Sequence, residues 1–145
     1  MPSDKITLGL ALYGRTFTLS NPNENGLGDS VKGPGKKGIY TREDGFWSSY
    51  EICTMGLTVE EDTEVEAPYG YRDDQWVGYD DQTSLLLKVS TLIAGKNLLG
   101  AMFWALDLDD FQGDFCREGR YCIPEVTLLS IHQELHNCFS CTWSY

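Results

Sequence analysis

Three carboxylates and an indole lie close together around the end of one apolar segment. Trp104 lies within the run GAMFWAL, and Asp107, Asp109 and Asp110 follow it. The run predicts a buried strand, and successive side chains of a strand point to opposite faces, so Met102 shares the face of Trp104. Carboxylates can act as acids, bases or cation ligands, and the carboxyl end of a strand is where α/β barrels collect such groups.

Two interpretations of this cluster are open from the residues alone. Trp104 either fills the core while the aspartates cap the following loop, or it faces a ligand; composition alone favours the first. A calcium-binding loop is excluded, because Phe111 occupies the third acidic position of that motif and no Glu closes it.

A second polar pair follows the first apolar segment of the chain. Tyr13 and Arg15 are two positions apart and therefore point the same way in a strand, and Phe17 and Leu19 continue the alternation on one side. Two large polar side chains beside a buried strand need partners or a polar ligand. A salt bridge from Arg15 to an acid is the alternative to a ligand.

The elements predicted around these residues alternate between strand and helix. A near-continuous apolar run predicts a buried strand at 5–13, and an apolar stripe after capping residues predicts a helix at 81–95. With the intervening segment set aside, the order is βαβα, which builds parallel sheets, flat or barrelled. The other segments are predicted as a loop at 20–38, a short helix at 45–57, an acidic turn or edge at 58–68, a β-hairpin at 69–79 and a last helix at about 124–136.

The charge of the chain restricts its partners. The 145 residues carry a formal net charge of −11, with 41% hydrophobic residues. Such a chain has a globular composition and repels phosphate backbones and anionic lipid, so we expect neither nucleic-acid nor membrane binding. No apolar span of about 18 residues is present, and the first 17 residues do not have the pattern of a signal peptide.

Four stretches of the sequence carry a family resemblance: KITLGLALYGRTFTL, YEIC, QWVGYDD and GAMFWALDLDDFQGDFC. In order and spacing they resemble the C-terminal part of family-18 glycoside hydrolases, the chitinases and chitinase-like proteins, over residues 2–135. The resemblance implies an α/β fold, namely a partial TIM barrel of the last two strand–helix units with an inserted small α+β domain. Residues 1–19 would hold barrel strand seven, 20–80 the chitinase insertion domain, and 81–145 helix seven, strand eight, helix eight and the C-terminal tail.

The resemblance also implies roles for individual residues. Trp104 matches the strand-eight Trp that forms the floor beneath the sugar at the cleavage point, where the C–H face of a pyranose packs on the indole. Met102 matches a wall residue, Tyr13 and Arg15 match residues that line the cleft, and Glu43 matches an insertion-domain acid that helps Arg15 bind the sugar. The implied partner is chitin or its oligosaccharides, and neither a cofactor nor a metal is expected.

Five cysteines favour an oxidising compartment, and with the resemblance they predict secretion. The resemblance implies a Cys53–Cys116 disulfide, which leaves Cys122, Cys138 and Cys141. A zinc site at HQELH followed by CFSC is disfavoured, because the Glu is misplaced for a zinc-protease motif.

The family's catalytic acid closes an Asp-x-x-Asp-x-Asp-x-Glu motif, and no aspartate of this sequence begins that spacing. We therefore expect this chain to hold no catalytic residue and to be a C-terminal fragment of a chitinase that cleaves by substrate assistance. A chitinase-like lectin without activity is the main alternative, and an acidic interaction or matrix protein is a third.

Overall fold

The structure is a computed structural model that describes residues 1–116 of the chain. The helix predicted at 124–136, the HQELH segment and the three remaining cysteines lie outside the described residues. Two sheets and two short α-helices make up the described part, which confirms a mixed α and β composition. The elements are β1 (Thr7–Ala11), β2 (Tyr13–Leu19), β3 (Val31–Pro34), β4 (Phe46–Ser48), α1 (Ser49–Ile52), β5 (Thr58–Asp62), β6 (Ala67–Arg72), β7 (Gln75–Gly78), α2 (Gln82–Lys88) and β8 (Gly100–Trp104).

The first sheet pairs the two ends of the described chain. β1 and β8 run parallel, with Thr7 opposite Gly100 and Ala11 opposite Trp104. α2 and the π-helical segment Val89–Ala94 that continues it lie between these strands in sequence and pack on them. The core of this unit consists of Leu10, Leu12, Leu85, Val89 and Ile93.

The predicted helix at 81–95 is confirmed, including its ends. Asp81 is the N-cap, and its carboxylate accepts a hydrogen bond of 2.8 Å from the Ser84 N–H. The buried stripe runs through Leu85, Val89 and Ile93, and the helical segment ends at Ala94, just before Gly95.

The second sheet is antiparallel and has the strand order β3-β2-β7-β6-β5, with β4 paired to β2. Trp47, Ile52 and Val77 form its core against α1. The predicted hairpin at 69–79 is confirmed by β6 and β7, which meet at a turn containing Asp73 with a φ of 53°. The acidic run predicted as a turn or edge forms β5, which lies at the edge of the sheet.

The strand predicted at 5–13 is interrupted at Leu12. Its N–H donates to the Trp104 carbonyl at 3.1 Å, and its carbonyl accepts from the Ser49 N–H at 3.1 Å. Leu12 thus leaves the first sheet and enters the second. The strand is not covered on both faces as predicted: Leu10 is buried in the first core, whereas Thr7 and Gly9 on the other face are exposed. Residues 13–19, which the domain assignment groups with barrel strand seven, pair with β7, β3 and β4 instead.

Two further expectations about local structure are wrong. Phe17 and Leu19 do not share one environment: Phe17 is 38% exposed while Leu19 is buried. A β-bulge against β3 between Thr18 and Leu19 shifts the alternation. The helix predicted at 45–57 is only α1, because Phe46–Ser48 pair as β4 with β2.

A disulfide links the two parts of the fold. Cys53 follows α1 and Cys116 follows β8, and their Cα atoms are 5.4 Å apart. This is the pair that the family resemblance implies. In the described part of the chain, no helix has the length and apolarity needed to span a membrane.

Gly14 provides a test of this packing, because β2 has no room for a side chain there. A Cβ would lie 2.5 Å from Cγ2 of Val77 and 2.7 Å from Cδ1 of Ile52. We expect Gly14→Ala to lower the free energy of unfolding by about 1–3 kcal/mol, measured by urea denaturation. Gly33→Ala is the control, since a Cβ at Gly33 meets no atom within 4 Å. Equal midpoints for the two variants would contradict the packing described.

Candidate functional site

Trp104 lies exposed at the carboxyl end of β8. Its side chain is 65% exposed, and Met102, on the same face of the strand, is 45% exposed. Phe103 points the other way and packs against the first core. The interpretation of Trp104 as core filler is therefore wrong for the described part of the chain, where the indole lies at the surface.

The backbone brings Trp104 next to the start of β2. Ala11 is its partner across the sheet, and Leu12 donates to its carbonyl. Tyr13 follows directly as the first residue of β2. The backbone of Trp104 is therefore hydrogen-bonded to the residues just before β2, the strand that carries Tyr13 and Arg15.

Arg15 lies over two aromatic rings. The Tyr13 and Phe46 rings stack with centroids 4.8 Å apart, and the Arg15 guanidinium carbon is 5.4 Å and 5.3 Å from them. The β2–β4 pairing sets this contact, because Arg15 is directly opposite Phe46. Cation–π attraction therefore helps to hold an exposed guanidinium in place.

The alternative for Arg15, a salt bridge to an acid, is not found among the described residues, whose ion pairs are Lys36–Asp74, Lys37–Asp44 and Lys88–Asp80. Lys88 and Asp80 lie in close contact. Among these residues, Arg15 is therefore held by contacts with aromatic rings and not by an ion pair. The sequence pattern does not single out Phe46, because a strand of three residues is too short to show a period and the pattern of this segment predicts a helix.

Glu43 lies on the loop that precedes β4, between Arg42 with a φ of 55° and Gly45 with a φ of 76°. It is exposed, and within residues 1–116 no ion pair joins it to Arg15. The loop reaches Phe46, the residue opposite Arg15, three residues later, so Glu43 lies three positions before the β4 residue that pairs with Arg15.

The aspartates after β8 have structural roles in part. Asp110 is 6% exposed, and its carboxylate accepts hydrogen bonds from the N–H groups of Asp114, Phe115 and Cys116 at 2.7 to 3.0 Å. Burial raises the pKa of Asp110, but these backbone hydrogen bonds outweigh it and lower the pKa overall. The expectation that this group braces the loop is confirmed for Asp110. Within residues 1–116, no group of three or more potential metal ligands is present.

Residues 1–109 match the model of the glycosyl hydrolases family 18. The chain belongs to this family. Mouse chitotriosidase-1 is 42% identical over 136 residues, which are 93% of this chain and 28% of that protein. The endochitinase of Manduca sexta is 46% identical over 141 residues, 90% of this chain and 24% of that protein.

A solved structure has a similar arrangement. Human YKL-39, described as a pseudo-chitinase with retained chitooligosaccharide binding, aligns with a TM-score of 0.87 at 38% identity over 91% of this chain and 36% of that one. The chain thus spans between about a quarter and about a third of the length of these relatives. The resemblance recognised from the four motifs is confirmed.

Asp110→Asn tests the loop that follows β8. The amide would place a donor against backbone donors, so we expect the free energy of unfolding at neutral pH to fall by about 1–3 kcal/mol. Because the pKa of Asp110 is lowered in the fold, its contribution is present above its ordinary value of 3.8 and is lost as the pH falls further. The variant should therefore lose less stability on acidification than the unmodified chain. Asp107→Asn, at an exposed position, should change neither the free energy of unfolding at neutral pH nor its loss on acidification. Equal acid sensitivity of the two variants would contradict the bracing role of Asp110.

Proposed function

We propose that this chain is the C-terminal part of a chitinase-type protein and that the surface around Trp104 binds β-1,4-linked N-acetylglucosamine. The observation that carries the proposal is the exposed indole of Trp104 at the end of β8, where the backbone pairs with the segment that leads into Tyr13 and Arg15 of β2. A pyranose presents C–H groups on its faces and hydroxyls at its edge. An indole complements the C–H faces and a guanidinium complements the hydroxyls, and the family membership directs the proposal to this sugar.

We assign the parts of the fold accordingly. β1 and β8 are barrel strands seven and eight, a proposal supported by their parallel pairing and by the helix between them in sequence. Residues 20–80 correspond to the insertion domain, and β2 connects the barrel strand to it. Among residues 1–116 no strand pairs with the outer edges of β1 and β8, and these edges are where neighbouring barrel strands of a complete protein would pair.

Each predicted residue has a role in this proposal. Trp104 forms the floor under one sugar ring, and Met102 adds apolar surface beside it. Tyr13 and Arg15 line the cleft, where Arg15 donates to sugar oxygens. Glu43 accepts from a sugar hydroxyl or approaches Arg15 when sugar is bound.

Catalysis is assigned to the remainder of a complete protein, because this sequence has no Asp-x-x-Asp-x-Asp-x-Glu motif. That remainder would supply the acid of a substrate-assisted, retaining hydrolysis. The second candidate is a non-catalytic lectin, favoured by the likeness to YKL-39, a pseudo-chitinase that retains chitooligosaccharide binding. The Cys53–Cys116 disulfide supports secretion.

Trp104→Ala is the direct test of sugar binding. We expect it to weaken binding of chitotetraose to this chain by about 1–3 kcal/mol, or about 5- to 150-fold in Kd, by isothermal titration calorimetry. Trp104→Phe, which keeps a flat ring, should lose less. Leu99→Ala, at an equally exposed side chain before β8, is the control and should bind as the unmodified chain does. An unchanged Kd for Trp104→Ala would refute the assigned floor.

The purified 145-residue chain should not hydrolyse chitin oligosaccharides. Without the acidic motif no group of the chain is assigned to protonate the leaving oxygen. The measurement is product release from labelled chitotetraose, with a complete family-18 chitinase as the positive control. Any release above a buffer blank that co-purifies with the chain would show that it contains an acid we have not identified.

A further inference from the structure

Glu51 in α1 is a buried carboxylate surrounded by hydrogen-bond donors. It is 2% exposed, and no cation pairs with it among the described residues. Oε1 accepts from the N–H groups of Tyr40 and Thr41 at 2.7 and 3.2 Å. Oε2 accepts from the Thr41 hydroxyl at 2.8 Å and from both the N–H and the hydroxyl of Ser48 at 3.1 Å.

These donors come from both ends of one loop. Tyr40 and Thr41 begin the segment that carries Glu43, and Ser48 ends β4, which presents Phe46 to Arg15. One carboxylate therefore joins the two ends of a segment whose backbone is mostly irregular. The Thr41 hydroxyl also lies 3.2 Å from the Phe46 carbonyl, which brings the start of the loop against the strand at its end.

The surrounding packing leaves little freedom for this arrangement. At Gly38 a Cβ would lie 2.3 Å from Oε1 of Glu51 and 2.4 Å from the Thr41 hydroxyl, so the backbone approaches the carboxylate as only glycine can. The Tyr40 ring packs edge-on against Tyr50 and Phe115, with centroids 5.7 and 5.4 Å apart. The loop is thus held from the carboxylate side and from the ring side.

The five donors require a carboxylate at this position, and another polar side chain would not be sufficient. A carboxylate has two acceptor oxygens and no donor, whereas a glutamine amide would turn its NH₂ group against at least one backbone N–H, since only the hydroxyls can change from donor to acceptor. Glutamine at this position has nearly the shape of glutamate and would still break the arrangement.

We propose that Glu51 is a positioning residue that clamps the 38–48 loop and thereby holds Glu43 and Phe46 in place for sugar binding by Arg15. The binding role rests on the proposed function; the clamp itself does not. Glu51 is too deeply buried to contact a sugar, so its effect on affinity passes through the loop.

The test is a double-mutant cycle on the 145-residue chain with E51Q, E43Q and both together. Chitotetraose affinity is measured by calorimetry, and backbone hydrogen exchange is followed by mass spectrometry. We expect E51Q to speed exchange across 38–48 but not in the β6–β7 hairpin. E51Q and E43Q should each weaken binding by about five- to tenfold, and the double variant should be little weaker than either, because both act on one interaction.

Two controls separate positioning from general destabilisation. Glu60→Gln makes the same chemical change at an exposed site on the edge strand and should alter neither readout. Val89→Ala destabilises the first core and should lower the unfolding midpoint without changing affinity. If E51Q does not fold, Thr41→Val and Ser48→Ala, which each remove one hydroxyl donor, replace it in the cycle.

The outcomes are distinct. Unchanged exchange in 38–48 overturns the clamp whether or not sugar binds, and additive losses in the cycle overturn its action through Glu43. If the unmodified chain does not bind chitotetraose, the proposed function fails and the binding role of Glu51 fails with it, while the exchange data still decide the clamp.

Discussion

The two backbone hydrogen bonds of Leu12 determine where the parts of this fold meet. Its N–H bonds to the end of β8 and its carbonyl to the start of α1, so one buried residue belongs to both units. The N–H and the carbonyl belong to the two peptide groups that meet at the Leu12 Cα, so the two bonds bring the strand that carries Trp104 close to α1, which packs on the sheet that carries Arg15. The candidate site lies at this junction and combines side chains from both sheets.

The Cys53–Cys116 disulfide gives α1 a second attachment at its other end. Ser49, the first residue of the helix, donates its N–H to the Leu12 carbonyl. Cys53, after the last helical residue, forms the disulfide with Cys116, whose N–H donates to the Asp110 carboxylate. A helix of four residues has little intrinsic stability. Its position comes from these connections, and so does the position of Glu51 within it.

The sequence was most informative where a pattern is long and local. The α2 stripe and the β6–β7 hairpin follow from periodicity and turn chemistry, because each element contains most of its own determinants. The break at Leu12, the bulge at Thr18 and the short strand β4 depend on pairing with distant segments, which no local period records. Alternation placed Met102 and Trp104 on one face, but only the packing of Phe103 shows that this face is the exposed one. The roles of Tyr13, Arg15 and Glu43 came from the resemblance and remain proposals.

Acidic residues outnumber basic ones 22 to 11, so cations alone cannot satisfy every carboxylate of this chain. Glu51 and Asp110 instead bind clusters of backbone N–H groups, and these bonds lower the pKa of each despite the opposing effect of burial. A carboxylate that accepts several N–H groups can fold a loop that has no sheet partner, because it satisfies donors that would otherwise require water. Strands thus position Tyr13, Arg15 and Trp104, while a buried carboxylate positions the loop of Glu43. The two supports should differ under acid, since the loop of Glu43 depends on a carboxylate that can be protonated, whereas the backbone hydrogen bonds between strands do not.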